Sequence, residues 1–449
     1  MEQPRRSRGT RPLVLLLVAV LAGLGLGRFL TAGDDAPEAT TTRVAGAVDL
    51  DARIAQLRAA VASDPQDVGS LQQLGTAYVQ RAVQTGDAAS YAQARDALDR
   101  AERLAPGAVE TTVARGVLAL SLHAFPEALD LGEQALQQRP GNATVLGLVV
   151  DAQIELGRYD DAAATLQTML DRDPGLPALA RTSYQRELTG DLDGAVEAMR
   201  AAVGSAADGA DAAAVSVLLG DLLLQQSQPD DADAAYAAAL REAPTLAAAR
   251  VGAARVQALR GDLDGAVAAL DQLSQEQPTI GGLVLLAELQ RELGDADAVG
   301  DTAEVVRAVA RLQEQAGQVV DLEMALFEAD FGEPARALEL ARAAHEARPD
   351  NVFTTDALAW ATFRSGDVAE AAALSTRALR LGSVSPVLRS HAAQIAAAAG
   401  SPDEARSHLG VVLRGAPYAA GVDAPAVRAL ALQLAAPLPR LWQVEGSPT

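Results

Sequence analysis

The sequence predicts an all-α solenoid, a tandem array of about ten helical hairpins, and three observations carry that expectation. Alanine and leucine dominate while aromatics make up only 3% of the chain, a balance that suits closely packed helices better than a β-rich fold. A helix-ending turn recurs about every 34 residues. Proline stands at a fixed distance beyond that turn. A chain of 449 residues would otherwise be read as two or three domains, but a repeat array needs no single large core.

Residues 1–48 are organised differently. Arg5, Arg6, Arg8 and Arg11 precede the apolar run PLVLLLVAVLAGLGLG, which continues past Arg28 and meets Asp34 and Asp35. The uninterrupted run, 13 to 27, falls short of the roughly 20 residues a spanning helix needs, and reaches Ala32 if Arg28 snorkels. Arginines before the run and acids after it place 1–11 in the cytoplasm and the remainder outside. The expectation is a transmembrane or signal-anchor helix at 12–32, then a linker at 33–47. A cleaved signal peptide, giving a secreted protein, is the alternative, although no small-x-small site closely follows the apolar core.

The repeats begin after a short amphipathic helix expected within 48–66 as a cap. Turns recur at His123, Gly157, Gly190, Ser227, Gly261, Gly294, Gly332, Gly366 and Gly400. Alanine follows five residues later at 128, 162, 195, 232, 266, 337, 371 and 405. Proline lies twelve beyond the alanine in pairs such as Ala94/Pro106, Ala162/Pro174 and Ala337/Pro349. Proline cannot continue a helix, so each unit reads as two helices joined by a tight turn, with a small residue where their backbones approach. Extra residues occur in QTGDAAS at 84–90 and within 294–320. The solenoid is expected over 67–417, with a second cap and a tail at 418–449.

These units resemble the tetratricopeptide repeat, whose pattern is W-x2-L-G-x2-Y, A-x3-F and P. Leu71-Gln-Gln-Leu74-Gly75-Thr-Ala-Tyr78 matches its first helix, and Ala232-x3-Tyr236 with Pro244 its second. The resemblance implies a right-handed superhelix whose first helices line a groove holding a partner's peptide or helix, with no chemistry of its own. The stretch DLEMALFEADFGEPARALELARAAHEARPD, followed by DALAWATFRSG, also resembles exported bacterial repeat proteins of unassigned role.

Composition narrows the function further. There is no cysteine, which excludes disulfides, thiolate metal sites and thiol catalysis. No nucleophile elbow, phosphate loop or H-E-x-x-H motif occurs, and the four histidines, His123, His345, His391 and His408, form no ligand spacing. No catalytic residue, metal, cofactor or small-molecule substrate is expected. The lysine and asparagine clamp of the chaperone-binding repeats is not expected either, because the chain has no lysine and its only asparagines are Asn142 and Asn351. Beyond residue 32 the balance of charge is −26, which repels nucleic acid; it serves either solubility or attraction of a basic protein or peptide partner.

One cluster looks like a docking patch. Of 14 aromatics, Phe327, Phe331, Phe353, Trp360 and Phe363 fall within 37 residues. Family geometry would turn Phe353, Trp360 and Phe363 to the groove, with Asp330, Asp356 and Arg364 nearby. The candidate partner-binding set is Phe353, Asp356, Trp360, Phe363 and Arg364; the competing reading is that the rings fill core space left by alanines. GDLDGAV, at 190–196 and again at 261–267, suggests a calcium loop, yet counting from its glycine puts Arg200 or Asp271 where the twelfth-position glutamate belongs. It reads instead as a turn with an aspartate helix cap. The function expected is a membrane-anchored, extracytoplasmic interaction scaffold or adaptor, not an enzyme; the alternative is an assembly chaperone for exported or membrane proteins, for example of the cytochrome-maturation type.

Overall fold

The computed structural model of the protein describes residues 50–206, 209–419 and 423–443. Helix α1 (Leu50–Ser63) is followed by α2 (Val68–Thr85), α3 (Ala89–Leu104), α4 (Val109–Ser121), α5 (Phe125–Gln138), α6 (Ala143–Glu155), α7 (Tyr159–Arg172) and α8 (Leu176–Leu188). Then come α9 (Leu192–Ser205), α10 (Ala210–Gln225), α11 (Pro229–Glu242), α12 (Ala247–Leu259), α13 (Leu263–Glu276), α14 (Ile280–Glu292) and α15 (Ala296–Gln315). The rest are α16 (Asp321–Phe331), α17 (Pro334–Ala347), α18 (Val352–Arg364), α19 (Val368–Ala378), α20 (Pro386–Ala398), α21 (Pro402–Val412) and α22 (Ala424–Gln433), before a single 3-10 turn at Arg440–Trp442. No strand occurs among the described residues. The expected anchor at 12–32, with 1–11 and 33–47, lies outside them; among the described residues no helix is long and apolar enough to cross a membrane.

Each even helix from α2 to α20 packs on the odd helix that follows it, giving the hairpins the periodicity implied. In eight of the nine turns the turn residue adopts the left-handed conformation, with φ of 76° at Gly157 and 86° at Gly190, where a glycine carries no Cβ penalty; Gly332, at φ −126°, is the exception. Asp191 and Asp262 then each accept the backbone N–H of the residue three on, Gly194 and Gly265, at 3.0 Å. Both GDLDGAV copies therefore spend their first aspartate on capping a helix. Alanines 94, 128, 162, 195, 232, 266, 337, 371 and 405 are all at most 3% exposed, so the recurrent small side chain does sit between backbones. The two insertions are absorbed as helix: α2 runs to 18 residues and α15 to 20.

The array winds so tightly that it meets itself. Turns in the first half of the chain touch the loops between hairpins in the second half. Gly86 lies against Pro278, Gly157 against Asp350 and Gly190 against Gly382. Leu122 accepts the Val319 amide at 3.0 Å, and Leu224 accepts the Ala416 amide at 3.0 Å. Contacts of this kind join residues 187 to 196 apart, so one wind takes a little under six repeats of about 34 residues. We call this line of contacts the seam.

A wind this tight leaves little room at its axis, and the expected groove lined by first helices is filled. All of 282–290 in α14 is buried, as is all of 145–155 in α6. More than two turns buried without a break means that every side of the helix is covered. Leu285 and Leu286 of α14 share one apolar cluster with Ala393 and Ala396 of α20, Leu430 of α22 and Trp442. These first helices and the C-terminal helix α22 thus share one core at that end of the array.

Candidate functional site: a polar inner column and the seam

Six residues before the turn, otherwise apolar first helices carry a polar or aromatic group: Asp151, Tyr184, Asp221, Arg255, Glu288, Trp360 and Gln394. The repeat period stacks these positions from one hairpin to the next, so the fold gathers them into a column, buried at Asp151, Tyr184, Glu288 and Trp360 and half-buried at Asp221, Arg255 and Gln394. Neighbouring helices supply the partners. Arg181 of α8 donates to both oxygens of Asp151 at 2.8 and 2.6 Å, in the bidentate geometry that gives the strongest charge-assisted bonds. Glu187 accepts from Gln225 at 2.7 Å. Asp221 accepts from the Tyr236 hydroxyl at 2.7 Å and from Arg255 at 3.1 Å.

Burial dominates the protonation of this column. It pushes the Glu187 carboxyl up to about 7, against the opposing Gln225 hydrogen bond. Glu288 goes up to about 8, where Asp423 reinforces burial and Arg291 opposes it. Asp151 and Asp221 are raised by burial as well, with Arg181 and Arg255 pulling the other way. Asp151, Glu187 and Asp221 have hydrogen-bond partners within the protein, whereas one buried oxygen of Glu288 has none, which suits a carboxyl that holds its proton. The column contributes to the shape and specificity of packing between hairpins.

The proposed docking patch belongs to the same column. Trp360 is 1% exposed, donates its Nε1–H to Asp330 at 2.9 Å, and stacks on His391 at 4.6 Å between ring centroids. Asp356 is buried against the His391 Nδ1 at 2.5 Å. Phe353, Phe363 and Arg364 are only half-buried; Phe363 rests on Trp360, and the Arg364 guanidinium lies over the indole. Five residues that the sequence grouped thus form one assembly, with its two central members sealed and its other three at the rim.

The seam was not foreseen, although the sequence carries a trace of it. Two turns lack glycine, and their residues, His123 and Ser227, hold the left-handed conformation at φ of 59° and 56°. Both reach across the seam: His123 Nδ1 donates to the Val319 carbonyl at 2.7 Å, and Ser227 Oγ donates to the Arg414 carbonyl at 2.8 Å. Between them Arg348 donates to Glu155 at 2.8 Å, Asn351 Nδ2 donates to the Glu155 carbonyl at 3.0 Å, and the Tyr159 hydroxyl accepts the Val352 amide at 2.9 Å. Asn142 and Asn351, each three residues after an arginine, cap α6 and α18 in the same manner. Only Asn351 has wind one above it.

Two further features lie on the outside. An open cavity of about 620 Å³ between α1, α2 and α3 is floored by Val61, Leu74, Tyr78 and Ala97, with Arg58 and Arg100 at its edge. Aspartates at the starts of second helices are exposed, among them Asp160, Asp193, Asp230, Asp264 and Asp297. Acidic side chains suit the positive end of a helix, and repetition turns a local preference into an acidic stripe. Among the described residues no three His, Asp or Glu side chains are grouped to hold a metal ion.

Comparison with family models supports the repeat. Family models described as tetratricopeptide repeat match residues 119–182, and 79–143 together with 217–279; the repeat is present in those stretches. No curated protein matches the chain. Similar solved structures include the APC/C hetero-tetramer Cut9-Hcn1, at 12% identity over 86% of this chain and 93% of that one, with a TM-score of 0.37. The human IFIT1 dimer with m7Gppp-AAAA is 13% identical over 73% and 76%, with a TM-score of 0.47. A tetratricopeptide repeat protein from Parabacteroides merdae is 18% identical over 58% and 99%, with a TM-score of 0.33.

Proposed function

We propose that this chain, built on tetratricopeptide repeats, is a non-enzymatic scaffold that holds protein partners on its outer surface, in the extracytoplasmic space, tethered to the membrane through residues 12–32. The observation that carries the reading is the filled axis: with first helices such as α6 and α14 covered on all sides, the surfaces left for a partner are the second helices and the exposed turns. That outer surface carries the acidic stripe, so the favoured partner is basic. The aromatic patch enters only through its half-buried rim, Phe353, Phe363 and Arg364. The tether rests on the charge asymmetry around the apolar run at 13–27.

A photo-crosslinking residue placed at Asp264 on the stripe, and separately at Phe363 on the rim, tests this in intact cells. Capture of the same folded partner from Asp264, lost as salt is raised, supports the scaffold reading. Capture from Phe363 alone would move the docking surface to the rim, and capture of many unfolded segments would favour an assembly chaperone. Membrane attachment is checked by alkaline carbonate extraction: the anchored chain stays with the pellet, and release of the whole population would contradict the tether.

A further inference from the structure

The seam is polar along its first half and apolar at its end. From Gly86 to Ser227 it is held by backbone groups and single polar side chains, while α22 and Trp442 join α12 and α14 through a shared apolar cluster. The polar part contains a buried charge cluster centred on Glu155 of α6. Arg348, at the end of α17, pairs with it from the opposite wind. Glu323 of α16 faces it from the same side, with His123 of the turn after α4 at 3.6 Å from Glu323. Asp151, on the same helix as Glu155, is paired with Arg181 of α8. Tyr159 and Tyr184 border the cluster, Arg380 stands over the Tyr159 ring, and half-buried Asp321 lies at the edge near Arg348.

The charges inside do not balance by themselves. Three buried carboxyls, Asp151, Glu155 and Glu323, meet two permanent cations, Arg181 and Arg348. A low-dielectric site does not tolerate an uncompensated charge, so a third positive charge has to be a proton. We propose that the seam is a proton-sensitive latch: the cluster around Glu155 closes over one proton, and the winds release it when they part. Solvation on opening removes the need for it, because water then takes over the compensation.

Burial supports the same direction, pushing the Glu155 carboxyl up to about 7; Arg348 opposes this, and Asp151 and Glu323 add to it. The linkage is straightforward. The closed form binds the proton more tightly than the open form, so closure is fully favoured below the ordinary glutamate value near 4.5. The advantage is lost as pH rises through about 7, and the ratio of open to closed chains grows about tenfold per pH unit in between. Above that range the ratio levels off. The apolar C-terminal end of the seam, with Trp442, is the part that stays joined.

Because the chain has no cysteine, spin labels attach only where thiols are introduced. Asp160→Cys and Glu346→Cys, both exposed and on opposite sides of the seam, give a pair whose separation pulsed electron resonance can read in the full-length chain. The expected result is a single short distance at pH 5 and a growing longer-distance population towards pH 7.5. Adding Glu155→Gln, which keeps the shape and removes the titration, should hold the short distance throughout; Glu323→Gln serves the same purpose if that variant does not fold. Identical distances at pH 5 and pH 7.5 in the labelled wild type would overturn the latch, and so would a pH response unchanged by both substitutions.

Discussion

His123 donates its Nδ1–H to the carbonyl of Val319 at 2.7 Å, across 196 residues of sequence. The donor sits in a left-handed turn that costs a non-glycine residue about 1 kcal/mol or more, and Ser227 repeats the arrangement toward Arg414. The turns that gave up glycine are turns that hold the winds together. A local cost at two places is offset by contacts that only the completed superhelix can make.

Glycines at the seam should therefore behave differently from glycines at free turns. Gly157 and Gly261 share the left-handed conformation, but a Cβ at Gly157 would lie 2.2 Å from the Asp350 backbone while one at Gly261 meets nothing within 4 Å. Gly261→Ala should cost about 1 kcal/mol, the conformational term alone. Gly157→Ala should cost at least about 2 kcal/mol more, since the clashing atoms are backbone. Urea titrations of the two variants make the comparison; equal losses would mean that the winds are not in contact at α6.

Trp360 is expected to act in stability before binding. Trp360→Phe removes the N–H that Asp330 accepts and reduces stacking on His391. A cost of about 2–4 kcal/mol is expected, because a buried carboxylate loses a donor. Phe363→Ala, at the half-buried rim, should cost less. Thermal unfolding of both variants decides between them; a Trp360→Phe protein as stable as the parent would return the indole to the surface.

The inner ion pair should reveal itself by non-additivity. Asp151→Ala alone leaves Arg181 buried without its bidentate partner, a change worth roughly 3–5 kcal/mol. The double variant Asp151→Leu, Arg181→Met should fall well short of the sum of its parts, because hydrophobic replacement of a whole buried pair is often near neutral. A double-mutant cycle with additive losses would contradict the contact.

Stability should fall between pH 5 and pH 8. Glu288 and Glu187 hold protons up to about 8 and about 7 in the folded chain, through burial, whereas the unfolded chain releases them near 4.5. Their contribution is complete below that lower value and is lost as pH rises through the folded ones. Glu288→Gln, neutral at every pH, should match the parent at pH 5 and exceed it at pH 8 by roughly 2–4 kcal/mol. Melting curves at the two pH values test this, and a variant that loses stability equally at both would show that Glu288 works as an anion.

Much of this molecule was readable from its residues. Gly190, Asp191 and Ala195 spell out a turn, a cap and a close contact within one repeat, and each does in the structure what local chemistry demands. The winding was not readable, because it depends on the angle between successive hairpins. That angle accumulates from side-chain volumes along every interface, and nothing in the sequence near Glu155 names Arg348. Traces existed in His123 and Ser227, where glycine was expected, and in the charged residues inside apolar helices, such as Asp151 and Glu155 in VLGLVVDAQIE. For Trp360 the sequence left docking and core both open, since an aromatic beside acids suits either; the contact with His391, from the next hairpin, is what seals it.

The central claim is that the solenoid closes on itself, so that its inner face is core and its outer face is left for partners. A cross-seam disulfide tests it most directly. Ser227→Cys and Gly415→Cys would be the only thiols in the chain, at a place where Ser227 bonds the Arg414 carbonyl and a Cβ at Gly415 would point at the Gln225 backbone 3.2 Å away. Mild oxidation at pH 5, where the polar part of the seam is closed, should link the pair within one chain nearly completely and raise the melting temperature. Two free thiols after oxidation, in a protein that keeps its helical spectrum, would mean an open superhelix with an accessible groove.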